Sequence, residues 1–108
     1  MLEVIIDNSY PSSHLYFPIY TDEEGYDWQD TPVIILNSNQ IEEFSIIFNI
    51  SLEEAREIII SHELGHYLAW KENLDYKDEE LAWQLAPPTN LSNLITEEIK
   101  IFCLKSYS

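Results

Sequence analysis

The run Ser61-His62-Glu63-Leu64-Gly65-His66-Tyr67-Leu68 sets two imidazoles four residues apart, with a carboxylate directly after the first. On a helix such residues stand one turn above each other, so His62 and His66 can ligate the same divalent ion. Glu63 leaves the helix on an adjacent side, which suits a carboxylate that takes a proton from metal-activated water better than one that binds the metal. Zinc fits this donor set, because it accepts imidazole nitrogen and lowers the pKa of bound water to about 7. The chemistry implied is amide hydrolysis with Glu63 as general base. A chance H-E-x-x-H in a chain this short has a probability on the order of a few per thousand, and two of the three histidines fall inside the motif. His14 stands apart among hydrophobic and turn residues and reads as structural.

A catalytic zinc takes a third protein ligand and keeps a fourth position open. Asp75, Asp78, Glu79 and Glu80 follow the motif. Asp75 lies too soon after the motif helix to double back onto it, whereas Glu79 falls in the first turn of an antiparallel partner helix. Glu79 is therefore the expected third ligand and Glu80 the next choice. Ala82 and Trp83, three and four residues on, place a small residue and a packing aromatic on the face that carries Glu79. The alternative for this acidic group is a solvated helix N-terminus favoured by the dipole. Gly65 costs about 1 kcal/mol of helix propensity relative to alanine, so close approach of another backbone is expected there.

These residues need elements to position them. Leu2 to Asp7 reads as a strand closed by Asn8, Ser9 and Pro11, and Val33 to Leu36 as another that ends at Asn37-Ser38-Asn39. Between them, Ser12 to Pro32 alternates aromatic residues (Tyr16, Phe17, Tyr20, Tyr26, Trp28) with polar ones around Asp22-Glu23-Glu24-Gly25, the pattern of a hairpin. Ile41, Phe44, Ile47 and Phe48 have helical spacing over Gln40 to Phe48. Ser51 and Glu54 form a capping box that starts a long helix from Leu52 to about Lys71, with Ile58, Ile59, Leu64 and Leu68 toward the core and Asn73 as its stop. A helix over Lys77 to Ala86 ends at Pro87-Pro88, and Leu94 to Leu104 forms a last one. The expected fold is α+β: one domain over residues 1–108, with a small sheet packed against three to four helices and the motif on the long central helix.

Twenty Asp and Glu oppose five Lys and Arg for a net charge of −15, and Arg56 is the first basic residue along the chain. Such a field repels nucleic acid and membrane headgroups and steers basic proteins toward the surface. A lone cysteine, Cys103, precludes an internal disulfide, and the start of the chain does not read as a secretory leader, so a cytoplasmic setting is expected.

The stretch from Pro32 to Pro88 resembles the ImmA/IrrE-type zincin-like metallopeptidases. The resemblance rests on the strand ending in Asn37, the helix entering His62-Glu63-Leu64-Gly65-His66-Tyr67-Leu68, and the Glu-containing helix ending Leu85-Ala86-Pro87. It implies that His62, His66 and Glu79 bind zinc and Glu63 is the base. It further implies a protein substrate of the helix-turn-helix repressor kind, associated with a phage or mobile element. On this reading Val33 to Leu36 borders the cleft and pairs with an extended substrate, a tyrosine such as Tyr67 or Tyr76 stabilises the oxyanion, and the segment from Leu91 onward folds over the cleft. The competing reading is an acidic, DNA-mimic-like binding protein that sequesters a basic regulator or nuclease and keeps zinc for structure only. Loss of function on replacing Glu63 by Gln, with zinc and partner binding retained, separates the two.

Overall fold

The computed structural model describes residues 2–29 and 31–106, with the side chains of 28, 29 and 106 outside the description, Trp28 of the aromatic run among them. The architecture is α+β. Strands β1 (Glu3–Ile6), β2 (His14–Tyr16), β3 (Ile19–Thr21), β4 (Asp27–Gln29) and β5 (Val33–Leu36) are followed by helices α1 (Ser38–Phe48), α2 (Leu52–Lys71), α3 (Glu79–Leu85) and α4 (Asn93–Ser106). No described helix is long and apolar enough to cross a membrane.

The main sheet is mixed, in the order β1-β5-β2, with β1 parallel and β2 antiparallel to β5. β5 takes the centre because Ile34, Ile35 and Leu36 are all buried, as a strand covered on both faces requires. The hairpin expected over Ser12 to Pro32 is shorter and separate. It consists of β3 and β4 around a turn in which Asp22 accepts from the amides of Glu24 and Tyr26 and Gly25 adopts φ +88°. The residues before it join the main sheet as β2, since Leu15 packs on the core and the Ser13 amide donates to Oε1 of Gln40 at 2.8 Å. Alternation along β2 turns His14 the other way, where its ring meets Tyr10 and Tyr16 and its Nδ1 lies 3.0 Å from the Ser12 carbonyl oxygen.

Asn37 organises this corner. Its side-chain oxygen caps α1 by accepting from the Gln40 amide, its Nδ2 donates to the Tyr10 carbonyl at 2.7 Å, and its own amide donates to Oγ of Ser13 at 2.8 Å. The cap moves the start of α1 to Ser38, two residues before the first helical position expected from hydrophobic spacing. The Ser51 and Glu54 capping box forms as expected, with both bonds at 3.0 Å. α2 then runs from Leu52 to Lys71, and Asn73 follows in the left-handed region at φ 58°.

The core joins Ile34 and Leu36 to Ile58 and Ile59 of α2 and to Ile99 of α4. Phe44 and Phe48 of α1 meet Phe102 edge to face, with centroids 6.2 and 5.5 Å away. The C-terminal segment thus builds the core, and none of the described residues of α4 borders the cleft discussed below. α3 crosses α2 at Gly65, where a Cβ would lie 1.9 Å from the carbonyl oxygen of Ala82. That is the backbone approach expected from a glycine inside the motif. Ser61 ties the far end of α3 down by donating its hydroxyl to the Pro87 carbonyl.

Gly65→Ala is expected to destabilise the protein by about 1–3 kcal/mol even though alanine is the better helix former, because overpacking outweighs propensity at this contact. Urea unfolding measures it. An unchanged or raised midpoint would mean that α3 is not seated on Gly65.

Candidate metal centre

The buried face of α2 is not simply apolar. Ser61, His62, Glu63 and His66 share it with Ala55, Ile58, Ile59 and Ala69, and both imidazoles retain only 8% of their exposure. Seating α3 on Gly65 brings its first turn over these rings. Nε2 of His62 lies 2.9 Å and Nε2 of His66 3.2 Å from Oε2 of Glu79, and the two nitrogens are 3.2 Å apart. Glu80, one residue on, is exposed. Asp78 caps α3 by accepting from the Leu81 amide, and Asp75 accepts from the Lys77 amide. Of the four acidic candidates, Glu79 is the one the fold delivers to the histidines.

This triangle is compatible with a metal ligand set. Ligands about 2.0–2.1 Å from a tetrahedral ion stand roughly 3.3 Å from each other, close to the two 3.2 Å edges and somewhat longer than the 2.9 Å edge. The donors also have the right character. Nδ1 of His66 donates to the Tyr76 carbonyl at 2.6 Å, which leaves Nε2 with its lone pair facing the other two donors. Two imidazole nitrogens and a carboxylate oxygen that converge in this way are compatible with a bound cation. Ligand atoms of His62, Glu63 and His66 also lie within 4.8 Å of one another, which would admit Glu63 as a ligand. The tighter triangle with Glu79 leaves Glu63 free beside it.

The two glutamates are held in opposite states. Burial pushes Glu63 up to about 8, and the charge of Glu79 adds to that while His66 opposes it. Burial also works to raise Glu79, but its bonds to His62 and His66 overcome this and hold it down at about 2. Burial lowers His62, whereas for His66 the desolvation cost is outweighed by its contacts with Glu79, Glu63 and the Tyr76 carbonyl, so its pKa rises.

Glu63, His66 and Glu79 open onto a cleft of about 240 Å³, whose other walls include Ser13 just before β2, His14 and Leu15 within it, and Tyr76 before α3. A larger groove of about 570 Å³, among Tyr10, Asn39, Glu43 and Phe102, includes none of the site residues. Of the two tyrosines named for the oxyanion, Tyr76 borders the cleft, while Tyr67 leans on Trp70 with centroids 5.8 Å apart. The strand at the cleft is β2 and not β5 as expected. β5 is hydrogen-bonded to β1 on one side and β2 on the other and has no edge to offer, whereas β2 ends the sheet order. The backing of His66 by the Tyr76 carbonyl had no sequence signal, because any residue supplies a carbonyl. No protein-family model, curated protein or solved structure matches this chain.

Without metal, Glu63 in the folded chain keeps its proton up to about pH 8, whereas in the unfolded chain it ionises near 4.5. The unfolded state therefore binds fewer protons between these values, and stability from this group falls as pH rises through the window. Glu63→Gln is expected to stabilise the metal-free protein at pH 8 by on the order of a few kcal/mol and to do little at pH 4. Denaturant titrations at the two pH values read this directly. Glu79 has the opposite sign: its contribution is present above 4.5 and is lost as pH falls toward 2.

Proposed function

We propose that this protein is a zinc-dependent metalloendopeptidase of the zincin-like kind, with His62, His66 and Glu79 as ligands and Glu63 as general base. The observation that carries this reading is the triangle of His62 Nε2, His66 Nε2 and Glu79 Oε2, with edges of 2.9, 3.2 and 3.2 Å, standing beside a buried carboxyl at the floor of an open cleft. A structural site closes its ion off with four protein ligands, whereas three ligands and a cleft are the attributes of a catalytic one.

A bound zinc ion would supply Lewis acidity and lower the pKa of water to about 7. The protein's own groups account for the rest. Glu63, unbonded to the triangle and aimed into the same cleft, takes the proton of the attacking water and returns it to the leaving amine. Its high pKa without metal reflects burial, and a divalent charge a few ångströms away favours the carboxylate form that a base requires. Tyr76, at the cleft wall, is the phenol in reach of a developing oxyanion. An extended substrate segment adds to the free edge of β2, where main-chain hydrogen bonds hold it across the site without demanding a particular side-chain sequence. The net charge of −15 favours substrates with basic segments, among them the helix-turn-helix repressors that the resemblance to ImmA/IrrE-type peptidases implies.

Protein loaded with zinc and dialysed is expected to retain one equivalent. Glu79→Ala is expected to lose it and Glu80→Ala to keep it, as read by metal analysis; retention of zinc by Glu79→Ala would remove Glu79 from the ligand set. Glu63→Gln is expected to bind zinc and partner while cleavage of a basic protein substrate falls by at least about 100-fold. Unchanged function in Glu63→Gln would favour the acidic binding protein that keeps zinc for structure.

A further inference from the structure

Among the described residues, two buried side-chain polar atoms find no hydrogen-bond partner in the protein: Nδ1 of His62 and Nε1 of Trp83. They belong to rings that stack, with centroids 4.4 Å apart and planes inclined by 30°. Both residues also line one small pocket of about 20 Å³, which includes Glu63 and Gln40 but neither His66 nor Glu79. A water molecule needs roughly 10–15 Å³ of such space and about two to four polar partners, so the pocket has room for one and not two.

The hydrogen-bond inventory fits a single water. The indole nitrogen only donates. His62, whose Nε2 faces Glu79 and His66, carries its proton on Nδ1 when Nε2 serves as a ligand, so it too donates on this side. On the accepting side, Oε1 of Gln40 keeps one lone pair after taking the Ser13 amide, and Glu63 has a carboxyl with no partner in the metal triangle. Of the remaining walls, Phe44, Ile58 and Ile59 offer a water nothing, Ser13 already accepts the Asn37 amide on its hydroxyl, and Cys103 brings only a weakly bonding thiol.

We propose that this pocket is the seat of one structural water that accepts from His62 Nδ1–H and Trp83 Nε1–H and donates to Glu63 and to Gln40 Oε1. With Nε2 of His62 serving as a metal ligand, all four bonding directions of the water are then used. The seat does for His62 what the Tyr76 carbonyl does for His66: it holds the ring through its second nitrogen and keeps Nε2 turned to the metal triangle. Trp83 and Gln40 are positioning residues that act through His62 and Glu63. The bond from Trp83 Nε1–H to the water does not depend on the metal reading, but the donor role of His62 Nδ1 and the effect on metal affinity rest on it.

The first test uses metal-free wild-type protein and nuclear magnetic resonance. The indole proton of Trp83 is expected to show rotating-frame cross-relaxation with a long-lived water and slow exchange with solvent. An indole proton without a water contact would overturn the seat, whatever zinc does. The second test is Trp83→Phe, which keeps an aromatic ring on His62 and removes the N–H. Zinc affinity is expected to fall about 10-fold while the urea midpoint moves little, since outer partners of metal-bound histidines act on affinity to roughly this extent. Unchanged affinity in Trp83→Phe would overturn the positioning role. A wild type that gives the water contact yet takes up no zinc would leave the seat standing and remove the metalloendopeptidase reading.

Discussion

A single missing Cβ governs the geometry of this molecule. At Gly65 the backbone of α2 accepts the Ala82 carbonyl of α3 so closely that any side chain would displace it. The contact sets the height and rotation of a seven-residue helix too short to hold its own place. Once Ala82 is seated, the residue three positions earlier stands over the two imidazoles and the residue one position later lies against His62. Glu79 and Trp83 are therefore consequences of Gly65. The helix propensity lost at that glycine is offset by a contact that a better helix former would forbid.

Burying two histidines and a glutamate on one helix face is costly unless each finds a partner, and the partners here are unequal. His66 is pinned at both nitrogens, by a backbone carbonyl and by Glu79. Glu79 draws its charge stabilisation from the imidazoles, while Glu63, one residue from His62, lacks such bonds and is driven toward its neutral form. Two carboxylates within one small site are thus pushed in opposite directions by their surroundings, one toward the neutral acid and one toward the carboxylate.

The sheet serves the same end from the opposite side. Asn37 caps α1, holds the Tyr10 carbonyl and meets Ser13, so a single side chain joins the end of the central strand to the segment that enters β2. That junction carries β2 to the cleft and, among the described residues, leaves its outer edge without a strand partner. Strand identity was readable from Val33 to Leu36, but strand order was not, because a buried run of β-branched residues has the same composition at the centre of a sheet and at the rim of a cleft. The β2 segment was read as part of a hairpin for a related reason. Its alternation of aromatic and polar residues is local, and the bond from Ser13 to Gln40 that diverts it spans distant parts of the chain.

The sequence by itself determined the elements whose signals are short-range: the motif and its helical phase, the capping box at Ser51 and Glu54, the stop near Asn73 and the breaks at Pro87 and Pro88. It also pointed to Glu79 through the spacing of Ala82 and Trp83. These were legible because helix periodicity and capping act within a few residues. Only the tertiary structure decided which strand borders the cleft, that α4 belongs to the core, that Tyr76 and not Tyr67 reaches the site, and which backbone carbonyl holds His66. Each of those depends on where segments far apart in the chain meet, and a carbonyl or an open strand edge carries no mark in the residue that provides it.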